Sequence, residues 1–297
     1  MSHILIYDTT LRDGSQTEGV SFSVKDKIKI TDKLDSLGIH YIEAGWPGSN
    51  PKDQEFFRIM QERRLKSSLL VAFGSTRRAH LKPTEDPNLK ALVGAKTAVI
   101  TIFGKSWDLH VTDVLKTTWD ENLKMIFDSV AFLKKKEKEV FYDAEHFFDA
   151  YKRNPEYALK TIEAAADAKA DYIVLCDTNG GTLTEEIHTI VRDTKAKLSV
   201  PLGIHTHNDL DLAVANSLAA VEAGCTQVQG TLNGLGERCG NADLCTLIGI
   251  LSAKMQHKTI PGDRRKHLTE ASYYLSEISN VKLPDNHPFV GHSAFAH

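Results

Sequence analysis

Pro201-Leu202-Gly203-Ile204-His205-Thr206-His207-Asn208-Asp209 is an apolar, β-type run that ends in two histidines one residue apart. Alternation along a strand puts positions i and i+2 on one face, so His205 and His207 point together while Thr206 faces away. Leu11-Arg12-Asp13-Gly14, near the start of the chain, offers a carboxylate. Imidazole is the commonest side-chain metal ligand, and Asp13 with His205 and His207 would make a three-ligand set with positions left open for substrate. Taken alone, His-X-His fits surface or core histidines without a metal equally well. The surrounding pattern of strands separates the two readings.

Short β-rich runs alternate with amphipathic helical stretches along the whole chain, the signature of repeated βα units and a parallel sheet. The runs fall at residues 4–7, 41–44, 69–73, 99–103, 140–143, 172–176, 202–205 and 227–231. Between the first two, residues 24–37 carry an apolar stripe of Ile28, Ile30, Leu34 and Leu37 with Gly38 as the stop signal. Eight units predict an α/β fold, a closed (β/α)8 TIM barrel, over an open doubly wound sheet, whose first turn would be glycine-rich; here that turn holds Arg12 and Asp13. Polar residues cluster at or just beyond C-terminal strand ends: Asp8, Arg12 and Asp13, Glu43, Glu145, Asp177 and Thr178, His205 and His207, and Asn233. In a barrel those ends converge on one face, which lets Asp13 and His205 share one ion.

The barrel is expected over residues 1–258. Its last helix is expected near 241–253, a break falls at Pro261-Gly262, and a further helix is expected near 264–278. Residues 259–297 then form a short C-terminal helical extension whose tail, with Pro284, Pro288 and Gly291, reads as the start of a linker or further subdomain.

A formal charge of -3, 41% hydrophobic and 25% charged residues over 297 positions describe an ordinary soluble globular chain, with no reason to expect nucleic acid or an anionic membrane as partner. Small-molecule substrates are expected instead. Cys176, Cys225, Cys239 and Cys245 lack Cys-X-X-Cys spacing and disulfide-scaffold density, which points to a reducing compartment. With no basic-then-apolar leader and no membrane-length apolar run, a cytoplasmic enzyme is the expectation.

Three segments carry a resemblance. Asp8-Thr9-Thr10-Leu11-Arg12-Asp13-Gly14-Ser15-Gln16, His205-Thr206-His207-Asn208-Asp209 and Gly230-Thr231-Leu232-Asn233-Gly234-Leu235-Gly236-Glu237-Arg238-Cys239-Gly240-Asn241 resemble, in order, signatures of the metal-dependent Claisen-type acyltransferases, the 2-isopropylmalate, homocitrate and citramalate synthases. Gly45-Trp46-Pro47-Gly48-Ser49-Asn50-Pro51-Lys52-Asp53, with Glu18-Gly19-Val20-Ser21-Phe22-Ser23, is most similar to the citramalate branch. That resemblance implies condensation of acetyl-CoA, the co-substrate, with the 2-oxoacid pyruvate to give (R)-citramalate and CoA, in isoleucine biosynthesis. A homodimer is implied for the full-length protein.

By the same resemblance Asp13, His205 and His207 hold a divalent ion, with Asn241 a further ligand or a neighbour of one. Asp and two His accept zinc, manganese, cobalt and, less readily, magnesium. Arg12 is similar to the arginine that neutralises developing oxyanion charge and binds substrate, Thr178 to the residue that hydrogen-bonds the oxoacid carboxylate, and Glu145 to the glutamate near the reacting carbons. Asn233, Gly234, Gly236 and Gly240 fall in the acyl-CoA region. Without the resemblance, Arg12-Asp13 reads as a surface ion pair, Glu145 as a solvated strand-end charge, and the glycines as a tight strand-to-helix turn. Cys176 reads as a packed thiol rather than a nucleophile, and Trp107 and His110 as pocket lining or loop packing.

Two departures stand out. Asp211, where the family has a small residue, places a carboxylate at the expected start of the seventh helix, and the chain stops at Ala294-Phe295-Ala296-His297, before the family's Gly-X-His segment. The chain is therefore expected to be shorter than a complete synthase. Competing readings are a synthase acting on a larger 2-oxoacid, a metal-dependent aldolase or lyase, and a non-catalytic metal-binding module. A two-His-one-carboxylate iron oxygenase shares the ligands, but its usual all-β scaffold conflicts with the βα rhythm.

Overall fold

The computed structural model describes residues 2–296. Eight parallel strands, β1 (Leu5–Asp8), β2 (Tyr41–Glu43), β3 (Leu69–Ser75), β4 (Val99–Lys105), β5 (Glu139–Glu145), β6 (Tyr172–Asp177), β7 (Leu202–Thr206) and β8 (Gln227–Gly230), close into a barrel in sequence order. The seam is the parallel pairing of β1 with β8, from Leu5 opposite Gln227 to Asp8 opposite Gly230. Around it lie α1 (Val24–Leu37), α2 (Pro51–Met60), α3 (Pro87–Gly94), α4 (Asp108–Asp113), α5 (Trp119–Lys134), α6 (Phe147–Arg153), α7 (Pro155–Asp167), α8 (Thr184–Lys195), α9 (Ala213–Glu222) and α10 (Leu244–Ala253), with α11 (Leu268–Ser279) beyond the barrel. The expected (β/α)8 barrel is the fold observed.

Strand parity makes two cores. Tyr7, Tyr41, Val71, Val99 and Phe141 fill the barrel interior as one cluster, with ring centroids of Tyr41 and Phe141 5.0 Å apart. Their neighbours Ile6, Ile42, Ala72, Ile100, Val140 and Tyr142 face the helices and join the larger core between sheet and helices. Helix ends follow local chemistry. Ser23 Oγ accepts from Asp26 N at 3.2 Å while Ser23 N donates to Asp26 Oδ2 at 3.0 Å, a reciprocal cap for α1, and Gly38 ends that helix at φ +80°.

Three boundaries differ from the sequence expectation. The last barrel helix starts at Leu244, not near Asn241, because the Asp243 carboxylate caps Cys245 N and Thr246 N. Asn241 is left in an antiparallel bridge with His207. Asp211 lies before α9 at φ +59°, exposed, with Oδ1 accepting from Asn208 Nδ2 at 3.1 Å, so it is a turn residue rather than a helix start. The extension helix begins at Leu268 after a short 3-10 turn, Arg265–His267. It packs against α1, where Lys33 Nζ meets Glu270 Oε1 at 2.7 Å. The tail after it buries Leu283 and Val290 and lays Phe289 against α10 at Gly249, where a Cβ would stand 2.6 Å from the ring. His297 lies outside the described residues.

Candidate active site

A cavity of about 260 Å³ opens at the C-terminal mouth of the barrel, lined among others by Arg12, Asp13, Glu145, Thr178, His205 and His207. Register sets the strand-borne part of the site, while Arg12, Asp13, Trp46, Thr178 and His207 follow the ends of β1, β2, β6 and β7. Cys176, His205 and Gln229 stand level on β6, β7 and β8, and Lys105 stands opposite Glu145 on β4 and β5. His205 Nε2 lies 3.3 Å from His207 Nε2 and 3.5 Å from Asp13 Oδ2. His205 Nδ1–H donates to Gln229 Oε1 at 2.9 Å, which leaves its Nε2 lone pair turned toward the cavity.

Three buried polar atoms here have no hydrogen-bond partner: Asp13 Oδ2, His207 Nδ1 and Asn241 Oδ1. Buried acceptors left unpaired are costly, and a cation is the group that satisfies acceptors of this kind together. Asp13 and His205 stand at separations close to the roughly 3.0–3.4 Å edge between neighbouring ligands of one ion with bonds of about 2.1 Å. The donor set fits a divalent ion. It is not a closed cage: among the described residues no three His, Cys, Asp or Glu side chains stand together as a complete ligand group, and the second Asp13 oxygen is turned onto Arg12.

Arg12 is held on three sides. Its guanidinium pairs with Asp13 Oδ1, donates from Nε to Glu43 Oε1 at 2.5 Å, and lies 3.9 Å over the Phe73 ring. Glu43 in turn accepts from Tyr7 OH, which also meets Thr101 Oγ1 at 2.7 Å. Burial pushes the Glu43 carboxyl up against the pull of Arg12, and burial with the nearby Glu43 pushes Asp143 well up. Burial also raises Asp13, but Arg12, His205 and His207 outweigh it and hold that carboxyl below the usual range. Burial, then His205, bring the His207 imidazole down to about 3. One wall is aromatic: Trp46 packs edge-on to Phe73 and Phe103, with centroids 6.0 and 5.6 Å away.

The other residues singled out from sequence are distributed. Thr178 lines the cavity with its Oγ1 accepting from His146 N at 2.9 Å, and Glu145 lines it with Oε2 on Lys105 Nζ at 2.5 Å. Asp8 and Asp177 sit at the same end of the barrel but have helix-facing parity; their carboxylates bind Thr10 and Thr182 and organise loops. Asn233 faces the extension, donating to Ser272 O at 2.9 Å and accepting from Ser272 Oγ at 2.5 Å. Gly236 and Gly240 pack within their own turn: a Cβ on Gly240 would stand 2.1 Å from Gly234 O, and one on Gly236 2.2 Å from Asn241 Nδ2.

A model of the HMGL-like family matches residues 3–272. The chain belongs to the HMGL-like family. Within it, the chain is 56% identical over its full length to an (R)-citramalate synthase of Geobacter sulfurreducens and 58% identical over 99% of its length to one of Aquifex aeolicus. It is 34% identical over 99% of its length to a probable 2-isopropylmalate synthase of Methanosarcina acetivorans. These alignments cover 56%, 56% and 54% of the relatives, so the chain spans about half the length of the curated relatives it matches. The HMG-CoA lyase of Bacillus subtilis shares the fold, with a TM-score of 0.80 at 20% identity over 96% of each chain.

In this HMGL-like barrel, sequence reading missed Lys105, Gln229 and Tyr7. The signal for each was parity. Lys105 continues the inward set Thr101–Phe103 two residues past the expected strand end, and Gln229 and Tyr7 are inward positions of strands whose polar or aromatic members attracted no attention.

Proposed function

We propose that this chain is the catalytic barrel of an acyltransferase that condenses acetyl-CoA with pyruvate to give (R)-citramalate and CoA, in the isoleucine branch of amino-acid biosynthesis. The carrying observation is the small mouth cavity in which Arg12, Asp13, Thr178, His205 and His207 converge on a space walled by Trp46, Phe73 and Phe103. Similarity to (R)-citramalate synthases at 56% and 58% identity supports the same reaction.

Asp13, His205 and His207, with Asn241 beside them, are proposed to hold a divalent ion, manganese, zinc, cobalt or magnesium. When bound, that ion supplies Lewis-acid polarisation of the 2-oxoacid carbonyl. Arg12, fixed by Asp13, Glu43 and Phe73, presents its free guanidinium edge to the oxygen that gains charge on attack. Thr178 Oγ1 already accepts from His146 N, so its proton is free to go to the substrate carboxylate. Glu145 keeps Oε1 clear of Lys105 and takes the proton from the methyl carbon of the acetyl thioester, whose carbon then bonds to the pyruvate carbonyl carbon. Water cleaves the thioester and releases CoA. The acyl-CoA is assigned to the rim made by the 234–240 turn, through its backbone and Glu237, which reaches the cavity. The complete protein is proposed to act as a homodimer in the cytoplasm, in keeping with four unbridged cysteines. No helix among the described residues is long and apolar enough to cross a membrane.

Thiol release from acetyl-CoA, measured with the complete protein across pyruvate, 2-oxobutyrate, 2-oxoisovalerate and 2-oxoglutarate, tests the assignment. Pyruvate should give the highest kcat/KM, because Trp46, Phe73 and Phe103 wall the cavity and a rigid small pocket excludes branched substrates strongly. Preference for 2-oxoisovalerate would favour a 2-isopropylmalate synthase, the second reading, which the relative at 34% identity supports.

A further inference from the structure

The indole of Trp46 has one polar contact among the described residues, and it comes from outside the cavity. Trp46 Nε1–H donates to Asn88 Oδ1 at 2.7 Å, and Asn88 Nδ2 donates to Ser75 O at 2.6 Å. Asn88 sits in the first turn of α3, where Asp86 caps Leu89 N at 2.9 Å and also accepts from Arg78 N at 2.9 Å, so its backbone is anchored to the loop after β3. Space for the amide comes from two glycines. A Cβ at Gly48 would stand 3.2 Å from Asn88 Oδ1, and one at Gly74 only 2.8 Å from it. The backbone of Trp46 is held separately, by donation of its N–H to Asp53 Oδ2 at 2.9 Å, Asp53 being paired with buried Lys27. Lys27 and Asp53 therefore fix where the residue is, and Asn88 fixes which way its ring faces.

We propose that Asn88 is a specificity-determining positioning residue. By holding the Trp46 indole edge-on to Phe73 and Phe103, it sets the depth available to the side chain of the 2-oxoacid. The proposal rests on the acyltransferase reading. Without the Asn88 amide the indole is free to turn about its side-chain torsions, the wall recedes, and a substrate one methylene longer than pyruvate is admitted.

The test is a double-mutant cycle between Asn88→Ala and Trp46→Phe in the complete protein, read as kcat/KM for 2-oxobutyrate divided by that for pyruvate. Asn88→Ala should raise this ratio about tenfold. The change should lie mainly in KM, and the Trp46 indole ¹H–¹⁵N signal, identified by its loss in Trp46→Phe, should shift and exchange faster with solvent. On the Trp46→Phe background, which has no indole N–H to hold, Asn88→Ala should leave the ratio within twofold. Asn88→Ser, a smaller perturbation that also cannot reach the indole, should repeat the result if Asn88→Ala folds poorly. An unchanged ratio in both single variants, or an equal change on the Trp46→Phe background, overturns the proposal; the latter would mean Asn88 acts through Ser75 alone. If the unsubstituted protein releases thiol with pyruvate while the ratio stays put, only the role of Asn88 falls. If it releases thiol with no 2-oxoacid, the acyltransferase reading falls and the proposal with it.

Discussion

Replacing Gln229 with methionine isolates the hydrogen bond that would prepare His205 for the proposed metal ion. Gln229 is fully buried, and its Oε1 accepts from His205 Nδ1–H at 2.9 Å; its amide nitrogen makes only two contacts of 3.4 Å, to Asp143 and Gln227. Methionine fills nearly the same volume without a comparable acceptor. His207 then shifts its own proton from Nε2 to Nδ1, and the His205 proton moves to Nε2, where His207 Nε2, 3.3 Å away, accepts it. Binding of an ion must return that proton to an Nδ1 with no partner. A buried donor left unpaired costs about 1–3 kcal/mol, equivalent to roughly 5–150-fold in affinity. Loss of such supporting partners at metal-bound histidines typically weakens affinity by about 10–100-fold. Titration of the purified protein with Mn²⁺, followed by calorimetry or by the free-ion paramagnetic signal, should show a Kd raised within that span. The reasoning is refuted if Gln229→Met binds Mn²⁺ within about twofold of the unsubstituted protein while unfolding cooperatively with an unchanged near-ultraviolet spectrum.

Three further outcomes are expected. Arg12→Lys should lose about 100-fold or more of turnover, since an ammonium cannot reproduce the planar donor set spanning Asp13, Glu43 and the cavity, while Mn²⁺ affinity stays within about threefold; wild-type turnover would contradict the role given to Arg12. Burial pushes the Asp8 carboxyl up to about 7, so the folded chain keeps a proton that the unfolded chain has released, and stability from this group is full below about pH 4 and lost as pH rises through 7. Asp8→Asn should accordingly be more resistant to urea than the parent at pH 8.5, by on the order of 3–4 kcal/mol, with little difference near pH 4; equal gains at both pH values would show that the effect is not titration. Gly240→Ala places a side chain at φ +92° and 2.1 Å from Gly234 O, with backbone rather than a movable side chain in the way. It should cost about 3 kcal/mol or more, seen as a lower Tm, and should weaken Mn²⁺ binding by displacing Asn241 from His207.

What the amino-acid order determined by itself is the set of features with a local cause. Eight apolar runs, each short enough for a strand and each followed by a helical stripe, dictate a closed parallel barrel, and residues 24–37 with Gly38 show how closely local signals track the outcome. The period of two likewise places His205 and His207 on one face without any knowledge of the fold. Tertiary structure alone decided which polar groups meet. Asp8 and Asp13 are five positions apart near one strand end, yet the first is turned to the helices and the second to the cavity. Asn233 and Asn241 belong to one motif, yet Ser272 on the extension captures the first while a bridge to His207 claims the second. The partners that tune the site, Gln229 for His205, Glu43 for Arg12, Lys105 for Glu145 and Asn88 for Trp46, come from other strands or from a helix. Periodicity along one segment specifies which way a side chain faces, but not its partner. Closure of the barrel and the stagger between strands set that, because they fix which residues of distant segments share one level.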